Sequence, residues 1–212
     1  MGISHDMELR CTCGALRGVV RGVSESRGNR VVCYCADCQS FAHFLGRASE
    51  VLDPHGGTEI FQTSPARVDI TQGRERLACM RLTPKGLLRW YAGCCNTPIG
   101  NTLITRALPF VGLIQTHAES GPAKRSREES LGPVRAHVNT GAAKPDAGGH
   151  KIRTSGVLPS VLRFAGLVLQ ARLRGDHKRS PFFDARTGEP SVTPRVLTAD
   201  ELGDVVRRRD AL

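Results

Sequence analysis

Apolar positions in the first 115 residues come in short runs, many alternating with polar ones, and turn residues separate them. Alternation of this kind is the period-two signature of strands that bury one face. Strands are predicted at 15–23 (ALRGVVRGV), Glu59–Gln62, Arg67–Thr71, Arg76–Leu82, Leu87–Tyr91 and Phe110–Ile114, with a shorter piece at Leu103–Ile104. SPA, QGRE and TPKG separate four of them and are turn signals. Ser24–Asn29 is polar and predicts a turn closing a hairpin between 15–23 and the apolar run at Val31–Val32. Helical spacing appears three times. Asp37–Gly46 reads as a helix capped by Asp37, with Phe41, Phe44 and Leu45 on one face and Gly46 as its stop. Val157–Arg174 is the clearest helix: Leu158, Val161, Leu162, Ala165, Val168, Leu169 and Leu173 recur at three and four. Pro159 falls in its tolerant first turn and Gly175 ends it. A last helix starts at Thr198, where Thr198 and Glu201 form a capping box, Leu197 and Leu202 a staple, and Arg207–Arg209 complement the dipole.

These elements predict a mainly β domain over residues 5–115 and a partly helical C-terminal extension over 116–212, packed on it. The extension opens with a loop over 118–156, within which Val134–Asn139 reads as a strand. Helices follow near 157–174 and 198–209. At 212 residues the chain is long enough for one good core. Charged residues are 24% and hydrophobic ones 40%, a globular balance, while aromatics at 5% argue against base stacking as the main activity. The net charge of +10 favours anionic partners, nucleic acid included, with the basic stretch Lys124–Arg127 as a contact. No secretory leader is visible in the polar Met1–Arg10, and the longest apolar stretch, Val157–Leu173, carries Arg163 and Arg172 and is too short to span a bilayer. A cytoplasmic protein without a membrane segment is the expectation.

Eight cysteines in such a chain point to metal or redox chemistry. Seven fall in three clusters: Cys11 and Cys13; Cys33, Cys35 and Cys38; Cys94 and Cys95. In C-x-C-x-x-C an extended pair followed by a tight turn can bring three sulfurs to one point. Soft thiolates suit a tetrahedral ion such as zinc, and three ligands leave a fourth position open, as in sites that do chemistry. The first and last clusters together could close a four-coordinate structural site. Two zinc ions are therefore expected, and at least one. Asp37 could assist proton transfer at the open site, and Arg10, Arg17, Lys85 and Arg89 could offset thiolate charge. The vicinal pair Cys94–Cys95 also invites redox sensing. Cys79, alone in LACM, reads as a core thiol.

The order C-x-C-G, then C-x-C-x-x-C, then RWYAGCCNTPIG over Cys11–Thr102 resembles the glutathione-dependent formaldehyde-activating enzymes, a family that includes centromere protein V-like proteins. The resemblance implies a β-tent (Mss4-like) fold. It also implies a structural zinc on the outer clusters and a catalytic zinc on the middle one. The family's carbon–sulfur lyase chemistry joins formaldehyde to the glutathione thiol, giving S-hydroxymethylglutathione. In the final motif Ala92 stands where the family has its first cysteine and Asn96 where it has glycine. The missing ligand would come from Cys94, His5, His117 or Cys79. The alternative function is a zinc-stabilised module that binds nucleic acid or another acidic partner without catalysis.

Overall fold

The computed structural model describes residues 4–114, 126–146 and 148–211. Its strands and helices are, in chain order, β1 (His5–Arg10), β2 (Arg17–Val23), β3 (Asn29–Cys33), α1 (Ala36–Phe44), α2 (Ala48–Val51), β4 (Thr58–Thr63), β5 (Val68–Gln72), β6 (Leu77–Arg81), β7 (Leu88–Ala92), β8 (Thr97–Thr102), β9 (Val111–Ile114), α3 (Arg127–Leu131), β10 (Ala136–Val138), α4 (Val157–Leu173), β11 (Arg195–Val196) and α5 (Ala199–Asp210). The mainly β reading holds. Three strands form a small sheet in the order β1-β2-β5, and eight form a second in the order β10-β3-β4-β9-β8-β7-β6-β11. Both edges of the larger sheet come from the C-terminal part: β10 pairs with β3 and β11 with β6, each parallel.

The core lies on both faces of the larger sheet. Leu16, Val20, Val68 and Ile70 of the small-sheet region meet Phe61, Leu88, Trp90, Val111 and Leu113 of the larger one. On the opposite face, Phe41 and Leu45 of the α1 region pack with Met80, Leu82, Leu197 and Val205. Strand alternation makes this two-sided burial possible: Leu77 and Cys79 join the first cluster, Met80 and Leu82 the second.

Several expectations change. Ser24–Asn29 does not close a hairpin. β2 pairs with β1 and β5, whereas β3 lies between β4 and β10 in the other sheet. The burial patterns explain it, since β2 has exposed positions but every residue of β3 is buried and needs cover on both faces. Strand β8 was hidden by Pro98 and Gly100. Pro98 sits where the β7–β8 register shifts, and a Cβ on Gly100 would come within 2.7 Å of the Gly112 carbonyl. Leu103–Ile104 is not a strand, and Ile104 is exposed. The cap of α1 is Cys35 rather than Asp37. The helix at Val157 is present, yet its regular apolar stripe faces outward: Leu158, Val161, Leu162, Leu169 and Leu173 are all exposed. The face turned to the sheet carries Ser160, Phe164 and Ala171, because Asn29 hydrogen-bonds Ser160, Phe164 meets Phe110 edge-on, and small side chains allow close approach. Among the described residues, no helix is long and apolar enough to cross a membrane.

Candidate metal centres

Two hairpin tips build the first group. The turn from β1 to β2 carries Cys11 and Cys13, held tight by the bond from the Gly14 N–H to the Cys11 carbonyl, with Gly14 at φ 76. The turn from β7 to β8 carries Cys94 and Cys95, and Asn96 takes a left-handed φ of 55 there. The two tips belong to different sheets, so the group sits at the junction between them. Cys11 Sγ lies 3.5 Å from Cys13 Sγ and 3.8 Å from Cys94 Sγ, and Cys13 Sγ lies 3.4 Å from Cys94 Sγ. Cys95 completes the set, 3.8 Å from Cys94. Neighbouring cysteines can both reach it because the left-handed turn at Asn96 bends the chain around them.

The surrounding polar groups lock the tips together. Thr12 donates its amide to the Thr97 hydroxyl at 3.0 Å. Arg47, just beyond α1, reaches the Cys95 carbonyl at 2.6 Å and the Thr12 hydroxyl at 2.9 Å. Burial raises the Cys95 thiol, but hydrogen bonds from Thr12 and Thr97 outweigh it and bring it down to about 5.

The second group is local. Cys33 ends β3, Cys35 caps α1 and Cys38 lies in its first turn, and the three sulfurs fall within 4.8 Å of one another. Cys33 and Cys35 do not converge as members of one strand. The chain leaves the sheet at Tyr34 and enters the helix, whose Cys38 N–H points at the Cys35 sulfur at 3.4 Å. The C-terminal part contributes to this group: β10 pairs with β3, and Asn139 just beyond it donates its amide to Cys33 Sγ at 3.3 Å. Hydrogen bonds from Cys35 and Cys38, and then from Asn139, lower the Cys33 thiol against the opposing effect of burial. Cys38 is pushed well up, by those same sulfur contacts and by burial, with Arg89 pulling the other way. The Arg89 side chain is 2% exposed and its guanidinium lies 3.7 Å from the Asp37 carboxylate and over the Phe41 ring. A fully buried cation needs negative partners, and the sulfur cluster with Asp37 provides them.

Both groups could hold metal ions. All eight cysteines are free thiols, and the S···S separations in the first group are far beyond a disulfide's ~2.05 Å. They are close to the ~3.8 Å edge of a tetrahedron built with ~2.3 Å metal–sulfur bonds. Neither group includes His5, which opens β1, or Cys79, buried on β6 with its thiol raised by burial to about 12. His117, Lys124 and Arg125 lie outside the described residues. Arg127 itself starts α3 and is 3.6 Å from Glu59. The sequence placed all seven clustered cysteines but missed Asn139, Thr12, Thr97 and Arg47. Asn139 and Arg47 act on cysteines far away in the chain, whereas Thr97 lies two residues from Cys95 and Thr12 between two cysteines, where no motif marks a threonine.

Fold and site together define a mainly β protein with two cysteine groups able to take metal ions. The chain belongs to a family of unknown function, DUF6151, whose match runs over residues 3–193. That span covers both groups as well as β10 and Asn139. No curated protein matches the chain.

Proposed function

We propose that this is a two-zinc protein with a structural ion at the sheet junction. In this reading the three-sulfur group is the site of carbon–sulfur lyase chemistry on a thiol–aldehyde adduct such as S-hydroxymethylglutathione. One observation carries the reading: the junction offers four sulfurs and the group at α1 offers three. Zinc held by three thiolates retains a position for a small ligand, where it acidifies a bound thiol or polarises a carbonyl. The remaining work falls to the chain. Asn139 orients Cys33, and buried Arg89 offsets the negative charge left on three thiolates. Asp37 is exposed, next to Cys38 in the chain and 3.7 Å from Arg89, and is placed to assist at the open position. The resemblance to the formaldehyde-activating family, and the β-tent it implies, supports the same assignment.

The test is zinc per chain, measured under reducing conditions in the wild type and in Cys35→Ser, with turnover of S-hydroxymethylglutathione in both. The expected result is two zincs falling to one, with turnover lost. One zinc unchanged by the substitution would sink the proposal. So would two zincs without thiol-dependent turnover. Salt-sensitive nucleic-acid binding in that last case would move the assignment to the binding module.

A further inference from the structure

Among the described residues, the outward stripe of α4 gathers six of the nine large apolar side chains that are exposed. Val157, Leu158, Val161, Leu162, Leu169 and Leu173 are between 39% and 79% exposed. Large apolar side chains gathered on one face in this way, rather than scattered singly, mark an interaction surface. The opposite face is already committed: Ser160 to Asn29, Phe164 to Phe110, and Arg163 to the Gly28 and Glu25 carbonyls. Rolling the helix to bury the leucines would break these bonds, so the stripe must be covered from outside.

The order of residues along it identifies the cover. From Ala165–Gly166 outward in both directions, the four exposed leucines are symmetric: Leu162 and Leu169 come first, then Leu158 and Leu173, while Val161 mirrors Gln170 and Val157 mirrors Arg174 along the margin. A two-fold axis across the helix between Ala165 and Gly166 would therefore set Leu162 against Leu169 of a second copy, and Leu158 against Leu173. Two small residues at the crossing let the helix axes approach to the ~8 Å end of the packing range. Such an isologous contact is self-complementary. Arg163 is turned to the sheet side, Arg172 lies beside the stripe opposite the uncharged Pro159 of the other copy, and Arg174, at the helix end, falls opposite Val157 at the rim, where its head stays in water. We infer that the protein is a homodimer joined by antiparallel packing of α4 on α4.

Analytical ultracentrifugation of the full zinc-loaded chain at micromolar concentration tests this. The wild type is expected at twice the monomer mass. L162E, at a position already 65% exposed, is expected to keep its circular dichroism and lower dimer affinity by roughly 100-fold, since each dimer would bury two unpaired carboxylates. V196E, at an exposed valine of β11 on the sheet edge opposite the strands that α4 packs on, should change nothing. The register has its own readout: L158E alone weakens the dimer, and the double variant L158E/L173K restores it, because the opposite charges meet across the axis. A monomeric wild type overturns the inference, as does a dimer indifferent to L162E. A monomer that binds anionic lipid vesicles, and loses them in L162E, assigns the face to a membrane surface instead.

Discussion

Asn96 holds the turn that presents Cys94 and Cys95, and it does so at φ 55. In that region an ordinary L side chain costs ~1–2 kcal/mol, glycine costs little, and asparagine lies between. Asn96→Ala should therefore lower stability by about 1 kcal/mol, while Asn96→Gly should leave it unchanged or slightly raised, as read from urea unfolding of the metal-loaded chain. An equal loss in both variants would mean that the asparagine side chain, rather than its backbone, matters. At this scale much was legible beforehand. The seven clustered cysteines and the buried thiol of Cys79 follow from spacing and from neighbours in the sequence. Arg89 was visible as a charge near the motifs, but not as a fully buried one over Phe41 and beside Asp37. Asn139 was not legible at all, because it reaches Cys33 across 106 positions.

At the scale of elements, α1 and α5 pack on one another, and His43 is caught between charges. Its Nε2 is buried without a hydrogen-bond partner. Burial, then Lys144, Arg208 and Arg209, lower its pKa against a weaker opposing pull from Asp210. The unfolded chain, with a histidine near the usual ~6.5, thus binds a proton more readily than the folded one. The stability that neutral His43 allows is complete above that value and is lost as pH falls from it toward the folded pKa. The melting temperature should drop more between about pH 7.5 and about 5.5 in the wild type than in His43→Gln. Parallel curves would discount the histidine. Thiol protonation affects both proteins alike, so the difference isolates His43. Helix α5 itself was readable in detail: its Thr198–Glu201 capping box forms, and Leu197 and Leu202 lie in the same cluster. For α4 the periodicity identified the helix but not its inward face. A regular apolar stripe says that something covers it, and both a sheet and a second chain satisfy that condition.

In the molecule as a whole, the C-terminal segment is built into the core rather than appended to it. Phe182 is fully buried with its ring 5.1 Å from that of Trp90, and β10 and β11 form both edges of the larger sheet. Phe182→Ala should cost ~3–5 kcal/mol. Trp90, the single tryptophan, and far-ultraviolet circular dichroism should report one shared, shifted transition. Two separated transitions would show that the C-terminal part unfolds independently. Neighbour chemistry along the chain was enough for the mainly β class, most strand positions, the cap of α5 and the cysteine clusters, since alternation, capping and turn formation act over a few residues. The partition of strands into two sheets, the inward face of α4 and the meeting of Cys11 with Cys94 across 83 positions depended on the folded molecule. Those are choices among surfaces of similar local merit. They are decided by simultaneous burial, as in β3, and by polar pairs such as Asn29 with Ser160, 131 positions apart, which exist once both sheets and α4 are in place.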